Sequence, residues 1–238
     1  METLSVLSAG AAQELVRSIK DEFTREHHVD ISTTFGAVGV INEALLSGAA
    51  CDVMITSESR LQSLIEAGQV SADSRRDLGR VHTAIAVRAD EPSPDISTAA
   101  RLVDCLQNAT RIFCIDPERS TGGGHFDAVL KKLGIHAAVA EKLVVLANGA
   151  TAMRELVATS GSGLVGCAQA TAVLYTPGIR LVGPLPGDLD LATTYTATVA
   201  SQSVKRRLAA AFVDVLTGAG TLPLRASSGF EDAMTDRA

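Results

Sequence analysis

Six short turns of the sequence carry small and hydroxyl side chains at points where a strand is expected to lead into a helix. A helix N-terminus has unpaired backbone N–H donors and a partial positive charge, so it binds anions without Lys or Arg. These turns therefore favour the binding of a small anion by backbone amides, although each one alone also fits an ordinary capped α/β loop. The turns read SAGAAQ (8–13), GAVG (36–39), TSES (56–59), RSTGGGH (119–125), ANGATA (147–152) and GCAQAT (166–171).

The turn at 119–125 is unusual because three consecutive glycines stand where a helix, predicted over 125–133, has to begin. Glycine lowers helix stability by about 1 kcal/mol relative to alanine, so a ligand resting on bare backbone is one candidate compensation. Ser120 and Thr121 would add hydroxyl donors. Arg119 could pair bidentately with a carboxylate or simply face water. His125 could act as a general base or donor, or be a partly exposed residue at a helix start.

The candidate ligand-binding residues are those of the turns. Asn148 and Gln169 could orient a ligand amide or carboxylate, or merely cap helices. No group of His, Cys, Asp and Glu has metal-ligand spacing, the GGGH stretch lacks the GxGxxG spacing and the downstream acidic residue of a dinucleotide fingerprint, and GKS/T does not occur, so no metal and no cofactor is expected. The candidates are Ser8, Ala9, Gly10, Ala11, Gly36, Ala37, Val38, Thr56, Ser57, Arg119, Ser120, Thr121, Gly122, Gly123, Asn148 and Gln169.

The elements that must position these turns alternate between β-rich runs and helical stretches. This βαβα rhythm is typical of α/β folds with parallel sheets and helices on both faces. A long strand predicted at 80–89 separates two such series, and no element is assigned to 176–189. We predict two lobes, each a mainly parallel sheet flanked by helices, with a ligand cleft between them. The predicted boundaries are 1–82 plus 198–238 for lobe I and 83–197 for lobe II, with hinge crossings near 80–88 and 192–200.

The amino-acid composition of the chain restricts the kinds of partner that it is expected to bind. The net charge is −6, the aromatic content is 3% and Trp is absent, so nucleic acid is not an expected partner. No apolar run approaches the roughly 20 residues of a membrane span, so no membrane insertion is expected.

The N-terminus has no signal-peptide pattern, which predicts a cytoplasmic protein, or a periplasmic one if this is a mature form with an added Met. Four scattered cysteines favour free thiols in a reducing compartment.

Four stretches resemble successive motifs of the periplasmic molybdate-binding protein family, which has the type 2 periplasmic-binding fold. The phrase SGAACDVMIT (47–56) is the most specific match, and the likeness runs in order over nearly the full chain. The resemblance implies two lobes, a hinge and an oxyanion held in the cleft by hydroxyls and backbone N–H groups. The stretches are LSVLSAGAAQELVRSIKDEF (4–23), VDISTTFGAVGVINEALLSGAACDVMIT (29–56), DPERSTGGGHFDAVLKKLG (116–134) and YTATVA (195–200).

Three turns differ from the family's pattern. Ala11 stands where the family normally has a ligand-binding Ser, the turn 36–39 lacks the usual serines, and Gly166 stands where a Tyr typically contacts the oxyanion. Each missing hydroxyl removes a hydrogen bond to a charged group, on the order of 1.5–3 kcal/mol. We therefore expect a small organic carboxylate rather than molybdate as the ligand.

Three functions remain open from the sequence. The first is a solute-binding protein, with an ABC permease as partner only if the native protein is exported. The second is a cytoplasmic isomerase of unsaturated carboxylates that resembles aconitate isomerases, with His125 transferring the proton and Arg119 holding carboxylates. The third is an effector-sensing domain like the ligand domains of LysR-type regulators, which is disfavoured because no helix-turn-helix precedes the first strand.

Overall fold

A computed structural model describes residues 2–232 of the chain. The described residues form two compact units, the first from residues 2–81 and 194–232 and the second from His82–Thr193. The chain thus passes between the units twice, at Val81/His82 and again at Thr193/Thr194. The second unit is an insertion in the sequence of the first.

Strands and helices alternate along both units. The strands are β1 (Glu2–Ala9), β2 (Val29–Gly36), β3 (Val53–Ser57), β4 (Arg76–Arg88), β5 (Arg111–Ile115), β6 (Leu143–Leu146), β7 (Leu164–Gln169), β8 (Ile179–Pro184) and β9 (Ala192–Val199). The helices are α1 (Gln13–His27), α2 (Val38–Leu46), α3 (Glu58–Glu66), α4 (Ala99–Asn108), α5 (Thr121–Lys132), α6 (His136–Val139), α7 (Gly149–Ala158), α8 (Ala170–Leu174), α9 (Arg206–Thr217) and α10 (Leu222–Ser227). Short 3-10 turns lie at Gly10–Ala12, Ala72–Ser74, Ala140–Lys142, Gly187–Leu189 and Ala219–Thr221.

The sheet of the first unit has the order β2-β1-β3-β9. β2, β1 and β3 are parallel, and β9 is antiparallel to β3. β3 is buried along its whole length, as expected of a continuous apolar run. The predicted stripe of Leu15, Ile19 and Phe23 is the buried face of α1. In parallel strands the carboxyl ends lie at one edge of the sheet, so the turns after β1, β2 and β3 share that edge.

A buried carboxylate joins the two sequence segments of the first unit. Asp52 accepts the Ser5 N–H at 2.8 Å, the Ser203 hydroxyl at 2.6 Å and the Lys205 ammonium at 3.0 Å. Burial opposes the ionisation of Asp52, but the hydrogen bonds from Ser203, Ser5 and Lys205 outweigh it and lower its pKa. The carboxylate therefore fixes β1, the start of β3 and the segment before α9 as one ionised network.

The last two helices of the described chain follow β9. α9 buries Phe212, whose ring meets Phe23 of α1 edge-on at a centroid distance of 4.9 Å. No single helix within residues 2–232 is long and apolar enough to cross a membrane. Only Arg206–Thr217 and Ala219–Ser227 taken together reach that length and apolarity, and this pair is bent by 46°.

The sheet of the second unit has the order β4-β7-β5-β6, and β8 also pairs with β4. β7, β5 and β6 are parallel, whereas β4 is antiparallel to β7 and to β8. One face carries the core of α4, α5 and α6, including Leu102 and Phe126. The opposite face carries the core of α7 and α8, including Met153 and Leu156. The turns after β5, β6 and β7 therefore share one sheet edge.

The strand β8 lies in 176–189, where the sequence predicted no element. Among the described residues, this strand pairs with β4 alone. The ladder also shifts register between Ile85 and Ala86, opposite Gly183. Edge position and an irregular register are the conditions under which Pro and Gly are tolerated in a strand. β8 is therefore an element that the sequence analysis left unassigned.

Candidate functional site

The turns after β1 and β2 are brought together at the sheet edge of the first unit. Ala9 and Gly36 are direct partners in the parallel ladder, and a Cβ on Gly10 would lie 3.6 Å from the Gly36 carbonyl oxygen. Helical turns begin at both places, after the cap residues Ala9 and Ala37. An alanine side chain offers no acceptor to the first N–H groups of a helix, unlike the usual Ser, Thr, Asp or Asn. Two neighbouring helix starts therefore lack side-chain caps.

Side chains around these helix starts are mostly small and apolar. Ala11, Ala37 and Val38 are all more than nine-tenths buried. Ser8 is fully buried and its hydroxyl donates to the Ala9 carbonyl at 3.0 Å. The surroundings of the two turns are therefore methyl groups and backbone rather than charged side chains.

The turn after β3 contains two fully buried hydroxyl residues with protein partners. The Thr56 hydroxyl donates to Asn42 Oδ1 at 3.0 Å, which ties β3 to α2. Ser57 precedes α3 without capping it, and its hydroxyl lies 3.1 Å from that of Ser59. Thr56 thus has a clear structural role in the core of this unit.

The three glycines lie inside the first turn of α5, which begins at Thr121 and not at 125 as predicted. Ser120 is the cap, and its hydroxyl accepts the Gly123 N–H at 3.2 Å. A Cβ on Gly123 would stand 2.4 Å from the Ile115 carbonyl oxygen, so only glycine lets this turn pack on the end of β5. Close contact with the protein's own backbone accounts for Gly123, and the cap hydrogen bond uses its N–H.

Gln169 and Asn148 have different contacts, although Gln169 is the last residue of β7 and Asn148 follows β6. Asn148 caps α7, because its Oδ1 accepts the Thr151 N–H at 2.9 Å. Gln169 lies against α5 instead: its Nε2 is 2.4 Å from the position of a Cβ on Gly122. Gln169 is 7% exposed. The structure therefore brings Gly122 and Gln169 together.

His125 is half-buried on α5 and held by the chain. Its Nε2 lies 2.7 Å from the Leu189 carbonyl oxygen. Because a carbonyl only accepts, Nε2 carries the proton, and Nδ1 is the nitrogen that can accept one. Arg119 is exposed in the turn between β5 and α5.

One polar residue of this region was missed from the sequence. Thr83 pairs with Gln169 across β4 and β7, is 1% exposed, and its hydroxyl has no hydrogen-bond partner in the described part of the chain. A signal was present, since Thr83 alternates with Val81, Ile85 and Val87 on one row of the long strand. Among the described residues no group of three or more His, Cys, Asp or Glu side chains could hold a metal ion.

The family described as bacterial extracellular solute-binding protein matches residues 4–231. The chain belongs to this family. This solute-binding protein is 27% identical over 221 residues to the aconitate isomerase of a Pseudomonas species, across 90% of its own length and 82% of the relative's. These matches, with those below, confirm the predicted resemblance to molybdate-binding proteins.

Two solved structures establish the fold of this solute-binding protein. The periplasmic molybdate-binding protein of Azotobacter vinelandii superposes with a TM-score of 0.79 at 14% identity, covering 96% of this chain and 98% of that one. The sulfate-binding protein SubI of Mycobacterium tuberculosis gives a TM-score of 0.78 at 18% identity, covering 99% and 88%. The predicted α/β fold of the periplasmic-binding-protein type is therefore confirmed.

Proposed function

We propose that this solute-binding protein binds a small organic carboxylate, and not molybdate, through backbone N–H groups of its strand-to-helix turns. The observation that carries the proposal is the pair of neighbouring helix starts capped by Ala9 and Ala37. An anion would receive the N–H groups that a capping side chain normally takes.

The chemistry of the turns favours a carboxylate. Molybdate presents four oxygens and needs hydrogen-bond donors around all of them, whereas a carboxylate needs donors at one end only. Ala11, Ala37 and Val38 offer methyl groups, and the Ser8 and Thr56 hydroxyls are bonded to the protein. Methyl groups suit the hydrocarbon part of an organic acid. The relative named aconitate isomerase supports the same class of ligand.

The role proposed for the bound acid is delivery. Membership of the extracellular solute-binding family supports an ABC permease as the partner that receives the ligand. An exported native protein is a requirement of this role.

A ligand screen tests the proposal. Thermal-shift measurements with citrate, cis-aconitate, trans-aconitate, molybdate, tungstate and sulfate should show stabilisation by an organic acid, followed by calorimetry for its affinity. Ala37→Asp should lower that affinity at least tenfold, because the new carboxylate caps α2 and competes for its N–H groups. Thr98→Asp is the matched control, since it adds the same charge at the start of α4. α4 follows β4, which is not one of the parallel strands whose turns are proposed to bind the ligand. Micromolar binding of molybdate or tungstate without any organic acid would overturn the proposal.

A second candidate function is the isomerisation of an unsaturated carboxylate by a 1,3-proton shift. The specific observation in its favour is His125, whose ring is held by Leu189 so that Nδ1 can accept a proton. Nδ1 would take a proton from one carbon and return it at the other end of the allylic system, with no net change in the histidine. Incorporation of solvent deuterium into trans-aconitate tests this. His125→Ala should abolish the exchange, while His136→Ala, at a half-buried histidine paired with Asp127, should not. Exchange that survives in His125→Ala would exclude His125 from the mechanism.

A further inference from the structure

A cavity of about 480 Å³ opens at the amino-terminal edge of the sheet in the second unit. β7 begins there at Leu164, which pairs with Arg111 at the start of β5. The turns proposed to bind the anion follow the other ends of these parallel strands, so the cavity is a separate feature of the same unit. Its volume falls within the range of roughly 300–1,000 Å³ that is usual for small-molecule sites.

The floor of the cavity is apolar. It consists of four side chains from the end of β4, the end of α4 and the start of β7, each no more than 4% exposed. Pro92 and Pro94, from the segment between β4 and α4, also line the cavity. Because proline fixes its own φ angle, this wall loses little conformational freedom when a ligand binds. The four floor residues are Val87, Ala109, Leu164 and Val165.

The charged part of the lining is acidic. Glu91, Asp95 and Asp104 contribute three carboxylates, against the single guanidinium of Arg101. The Glu91 carboxylate is paired with Arg88 at 2.9 Å. The Asp95 carboxylate lies 3.5 Å from Nε of Arg101. Asp104, in contrast, forms no ion pair within the described residues, so the lining has one negative charge that no neighbouring cation balances.

An amine with a hydrocarbon body matches both parts of this lining. A protonated amine can donate to the Asp104 carboxylate, and such a charge-assisted hydrogen bond is stronger than a neutral one. Asn108 donates through Nδ2 to the Asp104 carbonyl at 2.8 Å, which leaves its Oδ1 as a second acceptor. The hydrocarbon body of the ligand would displace water from the apolar floor. An anion, in contrast, would meet the charge of Asp104 with like charge.

We propose that this cavity binds a small organic amine, with Asp104 holding the ammonium group and the apolar floor holding the hydrocarbon body. The inference goes beyond the proposed function, because the ligand has the opposite charge and occupies the opposite edge of the sheet from the anion-binding turns. It does not depend on which acid those turns bind.

Cys105 gives a local measure of whether the cavity is occupied. Its thiol is half-buried and belongs to the lining, whereas the other three cysteines are buried. Mild labelling with iodoacetamide, followed by mass spectrometry of the peptides, therefore reports on Cys105. A ligand in the cavity covers this thiol. It should slow the labelling about tenfold when present at about ten times its dissociation constant.

Two matched pairs of compounds test the proposal at pH 8. Phenethylamine and hexylamine are protonated at this pH, whereas 2-phenylethanol and 1-hexanol have the same hydrocarbon bodies and no charge. At least one amine should protect Cys105 more strongly than its alcohol, and calorimetry should give the same order of affinities without using the thiol. Asp104→Asn should weaken amine binding about fivefold, the upper effect of an exposed ion pair, and leave the alcohol unaffected. Asp104→Lys should abolish the protection by the amine.

Glu155→Lys is the matched control, because it reverses the same charge at an exposed residue of α7, on the opposite face of the sheet from α4. It should leave the protection and the affinity unchanged. Equal binding of amine and alcohol, or full amine binding in Asp104→Asn, would overturn the inference. So would the absence of amine binding to the wild type in both measurements. None of these results affects the proposed function, which is tested with acids.

Discussion

Replacing Gly123 with alanine should destabilise the protein, although alanine favours helices. A Cβ at this position would lie 2.4 Å from the Ile115 carbonyl oxygen and 2.6 Å from that of Asp116. Both atoms belong to the backbone at the end of β5, which is fixed in the sheet between β6 and β7. The helix can accept the methyl group only by moving off the sheet.

The expected loss follows from two opposing terms. Overpacking against rigid neighbours costs about 3 kcal/mol at the upper end of its usual range. Alanine recovers about 1 kcal/mol of helix propensity over glycine. The net loss in the free energy of unfolding is thus about 2 kcal/mol, which for a chain of this size lowers the melting temperature by about 4–8 °C. Thermal unfolding followed by circular dichroism measures it.

Gly122→Ala is the matched control in the same helical turn. Its Cβ would meet the end of the Gln169 side chain at 2.4 Å, and that side chain can rotate away. The rotation costs about as much as the gain in helix propensity, about 1 kcal/mol each, so the melting temperature should change by less than about 4 °C. A variant Gly123→Ala as stable as wild type, or less affected than Gly122→Ala, would refute the packing explanation of the glycines.

Three further predictions concern other polar and titratable groups. Thr56→Val should lower the free energy of unfolding by about 1–2 kcal/mol, because Asn42 loses its buried partner, while the affinity for the ligand stays unchanged in calorimetry. Asp52→Ala should cost about 3–5 kcal/mol at pH 7 in denaturant titrations. The pKa of Asp52 is lowered in the folded protein, so the ionised carboxylate contributes its full stabilisation above about pH 4. This contribution is lost as the pH falls through the folded pKa. The free energies of unfolding of wild type and Asp52→Ala should therefore converge in acid. Burial raises the pKa of every cysteine thiol, that of Cys51 to about 12. Ellman's reagent at pH 8 should therefore label the half-buried Cys105 first and all four thiols only in denaturant, and rapid labelling of all four in the native protein would contradict the burial.

Much of the fold could be predicted because its main signals are periodic. The spacing of Leu15, Ile19 and Phe23 identified the buried face of α1, and the run at 51–56 identified a strand buried on both faces. The start of α5 could not be predicted from helix propensity, because glycine disfavours helices. Glycine is required there by the carbonyl groups at the end of β5, and that contact belongs to the tertiary structure.

The candidate site was predictable as a set of turns but not as individual contacts. Strand periodicity does not reveal that the Thr56 hydroxyl faces Asn42 of α2 and is used there. The pairing of Thr83 with Gln169 depends on the register between two strands, and the two residues are 86 positions apart in the sequence. No local sequence pattern encodes such a register. Whether the remaining turn residues contact a ligand stays a prediction.

The inserted position of the second unit has a consequence for biosynthesis. Translation finishes His82–Thr193 before it completes β9 and before it reaches α9, which complete the sheet and core of the first unit. Domains fold as units during synthesis, so the inserted one can become native while the outer one still lacks its last strand. Until Ser203 and Lys205 emerge from the ribosome, Asp52 has neither of its side-chain partners. The first segment to be translated is therefore among the last to reach its native state, and it is the nascent-chain region for which chaperone protection matters most.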